Sequence, residues 1–232
     1  MNKIYKVGLI GCGHISETYF RAHEYFNNFK IIKCADIKES ASKNCASLYN
    51  IESVSVDDLL ADNQIEVVLN LTTPQAHYEV TKKTLLAGKH SYCEKPLSTK
   101  FENGQELVNL AKEKNLYLGN GPDTFLGAGS QKSRQLIDSG LVGDIKLGNA
   151  IFAFPGVQSY HPDPEPWFQK DGGGPVMDMG TYYLTVLVNL LGPAKQVQGC
   201  ELTVSEFREI GIGPKKGKKI KVESPTTYMA TI

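Results

Sequence analysis

The sequence predicts an α/β protein: a doubly wound parallel sheet over residues 1–120, then an α+β domain over 121–232 whose sheet is mostly antiparallel. Three observations predict it. Up to residue 120, short apolar runs alternate with segments of helical periodicity, the pattern of βαβ units. A glycine-rich turn, "GCGHIS" at 11–16, joins the first apolar run to the first helical one. After Gly119–Pro122 the alternation stops, and a helix, a long loop, a second helix and several strand-like runs follow.

Each element has its own signal. "IYKVGLI" (4–10) reads as a buried strand, and 14–26 as a helix with Ile15, Tyr19, Ala22 and Phe26 on one face. "KIIKCAD" (30–36) is a second strand ending in Asp36, and 40–50 a second helix. Ser55 is placed to cap a short helix over 55–62. A strand over 65–74 stops at Thr72-Thr73-Pro74, and the helix over 75–89 closes at Gly88. A strand at 90–96, a helix at 101–115 and a strand at 116–120 complete the first domain. In the second, 129–144 reads as a helix, 145–154 as a strand and 155–175 as a long loop holding His161 and the single tryptophan, Trp167. A helix over 176–192 carries Leu184, Leu187, Val188 and Leu191 as its expected buried stripe. "AKQVQGCELTVSEF", "KIKVES" and "TYMATI" read as strands, with "GPKKGKK" (213–219) as a basic hairpin tip. The strand pattern reaches Ile232 without a closing turn or helix, so the chain is expected to continue beyond it.

Parallel sheets bind ligands at the carboxyl ends of their strands, where Gly11, Asp36, Thr72–Pro74 and Glu94–Lys95 all fall. Gly11 permits a tight turn, Gly13 leaves room for a pyrophosphate, and Ser16 takes the place of the third glycine of the dinucleotide fingerprint. The helix opening behind them offers N–H groups to the phosphates. Asp36 lies about 20 residues beyond the glycines, the separation expected of a carboxylate on the ribose hydroxyls. That carboxylate repels a 2′-phosphate and favours NAD, while the nearby Lys38 leaves NADP open. The residues expected around the cofactor are Gly11, Cys12, Gly13, His14, Ile15, Asp36, Thr72, Thr73, Pro74, His77, Glu94 and Lys95.

Twenty-five basic and 25 acidic residues give a formal charge of zero, which offers no general attraction for nucleic acid or an anionic membrane. The longest apolar stretch, 183–192, is too short to span a bilayer, and the N-terminus lacks a signal-peptide cleavage pattern. Five scattered cysteines without a C-x-x-C pair argue against a disulfide framework and a zinc site, and no metal is expected. The reading is a cytoplasmic protein.

"GCGHIS" after the first strand, "CEKPL" (93–97) after a late strand and "GGGPVMDMGTYY" (172–183) in the second domain carry a resemblance to a known family. The chain resembles the glucose–fructose oxidoreductase, inositol dehydrogenase and rhizopine-catabolism (Gfo/Idh/MocA) group along its whole length. The resemblance implies a Rossmann domain and an NAD(P)-dependent dehydrogenase acting on CH–OH groups. The substrate implied is a secondary alcohol of a sugar, cyclitol or related polyol. It also implies that members continue past residue 232, and that a cis peptide precedes Pro96 and aims Lys95 into the cleft. Lys95 matches the family's catalytic lysine. Asp178, Gly180 and Tyr182 match its D-x-G-x-H motif, with Tyr182 in place of the commoner histidine. Tyrosine has a reference pKa of about 10 against about 6.5 for histidine, so Tyr182 needs the positive charge of Lys95 to act as a base. His161 and Trp167 are the candidate sugar contacts. Two other functions fit the same residues: a sugar lyase or hydrolase using transient oxidation, and a non-catalytic dinucleotide sensor. A homo-oligomer built through the second-domain sheet of the full-length protein is expected.

Overall fold

A computed structural model describes residues 3–22 and 25–232. The chain divides into two compact units, residues 1–121 and 122–232. Met1, Asn2, His23 and Glu24 lie outside the described residues, so the helix expected over 14–26 is described only in part.

The first unit is a parallel sheet with helices on both faces. Its strands are β1 (Tyr5–Ile10), β2 (Phe29–Ala35), β3 (Glu52–Ser53), β4 (Val67–Asn70), β5 (His90–Cys93) and β6 (Leu118–Asn120). Its helices are α1 (Ser16–Ala22), α2 (Glu39–Tyr49), α3 (Val56–Ala61), α4 (Pro74–Leu86) and α5 (Phe101–Glu113). The strand order is β3-β2-β1-β4-β5-β6, with every pairing parallel. The order reverses between β1 and β4, which opens a crevice at their carboxyl ends.

Alternation along β1 explains the two cores. Val7 and Leu9 point to one face and pack with Phe20, Cys34, Cys45 and Leu69, whereas Ile10 points to the other, with Leu59, Leu60 and Val68. The inward side of α1 is Ser16 and Phe20, with Phe20 stacked 4.0 Å from Tyr49. Ile15 and Phe26, expected on that face, are exposed. The cause is that α1 begins only at Ser16, so Ile15 belongs to the turn before it. Ser55 caps α3 as expected, its hydroxyl accepting from the Asp58 N–H at 3.0 Å. Gly88 follows α4 in the left-handed region, φ 76°.

The second unit holds α6 (Ala128–Asp138), α7 (Thr181–Leu191) and four strands. These are β7 (Gln198–Leu202), β8 (Phe207–Glu209), β9 (Lys219–Lys221) and β10 (Thr227–Thr231). The strands form two antiparallel pairs, β7 with β10 and β8 with β9. Residues 145–154, expected as a strand, enter no ladder. Within them Phe152 lies 5.4 Å from Tyr183 and Gly148 faces Leu191 on α7, whereas Leu147 and Ile151 are exposed. The leucine stripe of α7 is not buried either; Leu184, Val188 and Leu191 are exposed. Leu184 and Leu187 stand on the wall of an open cleft rather than beneath a second layer.

The basic hairpin tip is tied down. Lys215 Nζ donates to Asp163 at 2.7 Å and Lys218 Nζ to Glu165 at 2.6 Å. Behind this tie Val157, Phe168, Ile210, Ile220 and Val222 form a small core of their own.

Candidate active site

The glycine turn meets the crevice at the strand-order reversal. Gly11 has φ 102°, and a Cβ there would lie 2.6 Å from the carbonyl carbon and oxygen of Leu71. The β1 and β4 loops approach so closely that only glycine fits. At Gly13 a Cβ would meet nothing within 4 Å, so open space stands in front of the turn. Ser16, in the place of the third glycine, is buried and donates from Oγ to the Gly13 carbonyl at 2.7 Å. Its small hydroxyl closes the turn onto α1. His14 and Ile15 are exposed beside this space.

Asp36 closes the other side of the turn. Its Oδ2 accepts from the Cys12 N–H and its Oδ1 from the Lys38 N–H, both at 2.8 Å. The carboxylate joins the ends of β1 and β2 while retaining lone pairs for a further donor. A glycine turn with open space and a carboxylate at its rim fits the pyrophosphate and ribose of a dinucleotide.

The β4 and β5 loops are braced from below. Asn70, fully buried, donates to the His77 carbonyl and Thr81 Oγ1, each at 3.0 Å, and accepts from Thr72 Oγ1 at 2.7 Å. Thr73 and Pro74 then open α4. His77, expected at the cofactor, is instead buried behind the cleft. Its Nδ1 lies 2.6 Å from the Pro96 carbonyl and its Nε2 2.9 Å from that of Thr72. Burial pushes the His77 pKa down, against the pull of the two carbonyls. It bridges the Pro96 and Thr72 carbonyls from a buried position on the side of α4 turned toward the sheet.

Glu94 and Lys95 follow β5, and the Lys95–Pro96 bond is cis, as the resemblance implies. Glu94 Oε1 accepts from the Tyr19 hydroxyl at 2.7 Å, and Oε2 from the Lys95 N–H at 3.0 Å. Burial, and then the Glu94 charge, push the Tyr19 pKa up, so Tyr19 stays a donor. Asn120 Nδ2 donates to the carbonyls of Cys93 and Glu94, at 2.9 and 3.1 Å. At Gly121 a Cβ would lie 3.0 Å from Glu94 Oε2 and from the Lys95 nitrogen. The backbone at Lys95 is therefore held from α1, β6 and the chain after β6.

The remaining candidates belong to the second unit. Asp178 lies in a single π-helical turn, Val176–Gly180, and Tyr182 in the first turn of α7 that continues it. Isolated π turns inside helices are frequent at functional sites. The rings of His161 and Trp167 are 4.7 Å apart, and His161 Nδ1 accepts from the Asp163 N–H at 3.1 Å. Asp178 and Trp167 line a cleft of about 770 Å³ within this unit, with Phe152, Phe154 and Tyr183 among its apolar walls. Partial burial and the nearby Asp178 carboxylate raise the pKa of Tyr160.

Two family descriptions match the chain: "Oxidoreductase family, NAD-binding Rossmann fold" over residues 5–121, and "GFO/IDH/MocA C-terminal domain" over 130–228. The chain belongs to the Gfo/Idh/MocA oxidoreductase family. The first unit of this Gfo/Idh/MocA chain is an NAD-binding Rossmann domain. An uncharacterized oxidoreductase of Schizosaccharomyces pombe is 29% identical over 212 residues, covering 84% of this chain and 56% of the relative. D-xylose dehydrogenase of Paenarthrobacter nicotinovorans is 29% identical over 167 residues, covering 70% of this chain and 42% of the relative. Among solved structures, the WlbA dehydrogenase of Bordetella pertussis, in complex with NADH and UDP-GlcNAcA, superposes with a TM-score of 0.83 at 22% identity. That superposition covers 99% of this chain and 64% of WlbA. The chain thus spans about half the length of the curated relatives it matches.

Several supporting residues escaped the sequence reading of this Gfo/Idh/MocA chain: Tyr19, Asn70, Asn120, Gly121 and Tyr160. Asn70 had a legible signal, a polar residue inside an apolar strand, since a buried amide must find partners. The others act across long sequence separations that periodicity does not encode.

Proposed function

We propose that this protein is an NAD(P)-dependent oxidoreductase acting on a secondary alcohol of a sugar, cyclitol or related polyol. The single observation that carries the reading is the braced Glu94–Lys95 turn at the carboxyl edge of a dinucleotide-binding sheet. The nicotinamide, when bound, supplies or accepts the hydride. The glycine turn at 11–13 binds the pyrophosphate, and Asp36 takes the ribose hydroxyls, with Lys38 leaving NADP acceptable. Lys95, with Tyr182, takes or returns the hydroxyl proton of the substrate, and Asp178 orients the substrate or Lys95. The His161–Trp167 ring pair offers a flat apolar surface to the C–H face of a sugar.

The relatives support the choice of substrate, since the D-xylose dehydrogenase named above is a sugar oxidoreductase. No helix among the described residues is long and apolar enough to cross a membrane. A cytoplasmic enzyme without nucleic-acid partners is the location and setting we propose. Self-association would run through the second-unit sheet, where Leu202 and Met229 are exposed on β7 and β10.

The test is NAD⁺ reduction by the full-length protein over a panel of sugars and cyclitols, repeated with Lys95→Met. Turnover on at least one member, lowered by ~10²–10⁴-fold in the variant while NADH still binds, is expected. Near-normal turnover in Lys95→Met would overturn the assignment.

A further inference from the structure

Three of the five cysteines converge beneath the cofactor turn. Cys12 lies in the turn, Cys34 on β2 and Cys45 on α2, and their three sulfur atoms all lie within 4.8 Å of one another. Cys34 is fully buried, Cys45 is 9% exposed, and Cys12 packs partly buried against the same core. Their sequence separations, 22 and 11 residues, hide the cluster from any motif search.

We propose that these three thiols form a binding site for a soft, three-coordinate cation of the copper(I) class. Geometry supports it. A metal at about 2.3 Å from each of three sulfurs holds them about 4 Å apart in a trigonal plane. The cluster needs to contract by less than an ångström per pair to reach that. The donor set supports it too: thiolates select soft ions. No histidine or carboxylate joins the group among the described residues, so a closed four-ligand zinc centre is not formed. The side chains packed around the cluster, Val7, Leu9, Phe20, Ile31, Leu69 and Leu71, are apolar.

The thiol protons have places to sit when the site holds no ion. Cys34 Sγ lies 3.4 Å from the Ser42 carbonyl, and Cys12 Sγ lies 3.7 Å from that of Ala35. Ligation releases these protons to solvent as the metal replaces them, with no change of oxidation state. Cys12 is the way in, since it is the least buried of the three and stands in the turn.

The competing account is three small apolar side chains filling a core. The two are separated by anaerobic titration of the full-length, reduced protein with copper(I) buffered by a chromophoric chelator. We expect the protein to withdraw one copper(I) per chain, with X-ray absorption showing three sulfur neighbours. Cys34→Ser and Cys45→Ser should each lose that retention by at least ~10-fold in affinity, while Cys93→Ser and Cys200→Ser keep it. Should a core serine prevent folding, Cys12→Ser at the turn gives the same readout. No withdrawal by folded protein overturns the proposal. So does equal retention in the Cys12, Cys34 and Cys45 variants, or retention of zinc(II) as tight as that of copper(I).

Discussion

Lys95 carries the functional reading, and its neighbours show how one side chain is placed by others. The Tyr19 hydroxyl fixes one oxygen of Glu94, and the other oxygen holds the Lys95 N–H. Lys95→Met should lower turnover by ~10²–10⁴-fold, the contribution typical of a positioned proton-transfer group, with NADH affinity retained in a fluorescence titration. Tyr182→Phe keeps the ring and deletes the hydroxyl. It should lower the maximal rate by ~10-fold or more, about 1.4 kcal/mol of transition-state stabilisation, with the melting temperature nearly unchanged. A purely packing role for Tyr182 would leave the rate intact.

Among the elements, the junction of the β1 and β4 loops is the least forgiving. Gly11→Ala places a Cβ 2.6 Å from the Leu71 backbone at a positive φ. We expect a loss of at least ~2 kcal/mol in urea unfolding, together with loss of cofactor binding. Asn70→Ala leaves the buried Thr81 hydroxyl and His77 carbonyl, and the part-buried Thr72 hydroxyl, without this partner. It should cost about 2–3 kcal/mol by the same measurement. These elements also show what the sequence makes legible. The six-stranded sheet was nearly all readable, because strands buried on both faces become continuous apolar runs between amphipathic helices. Only β3, two residues long, gave no signal. The second unit read less well. Residues 145–154 have the composition of a strand, but a strand also needs a ladder partner, which composition cannot name. At the candidate site, Gly11 is legible because a tight turn at positive φ demands glycine, Asp36 is singled out by its spacing from the glycines, and Lys95 by the resemblance alone. The burial of His77 is not legible, because nearness in sequence to Pro74 does not reveal which way a helix faces.

For the whole molecule, cofactor binding should appear as stability. Saturation at 100 times the dissociation constant raises the unfolding free energy by about 2.7 kcal/mol when only the folded state binds. NAD⁺ should therefore raise the melting temperature of the full-length protein more than NADP⁺ at equal concentration. Asp36→Ala should remove most of the NAD⁺ effect and little of the NADP⁺ effect. Asp36 also accepts from the Cys12 and Lys38 N–H groups, so the ligand-free variant should itself melt lower. Equal losses for both cofactors would take Asp36 out of the ribose site.

The hairpin between β8 and β9 has a consequence for protease resistance. Its tip offers Lys215, Lys216, Lys218 and Lys219 to trypsin, yet Lys215 and Lys218 are engaged by Asp163 and Glu165. Such exposed pairs are worth at most about 1 kcal/mol and weaken in salt. Trypsin should nick this tip slowly in dilute buffer and faster as ionic strength rises, with Glu165→Gln showing the fast pattern throughout. The Lys218 ammonium holds the Glu165 carboxyl below the usual carboxylate range. The tie is therefore present at neutral pH and is lost as pH falls through that lowered value. An acid-active protease should meet an opened hairpin where trypsin at neutral pH meets a latched one.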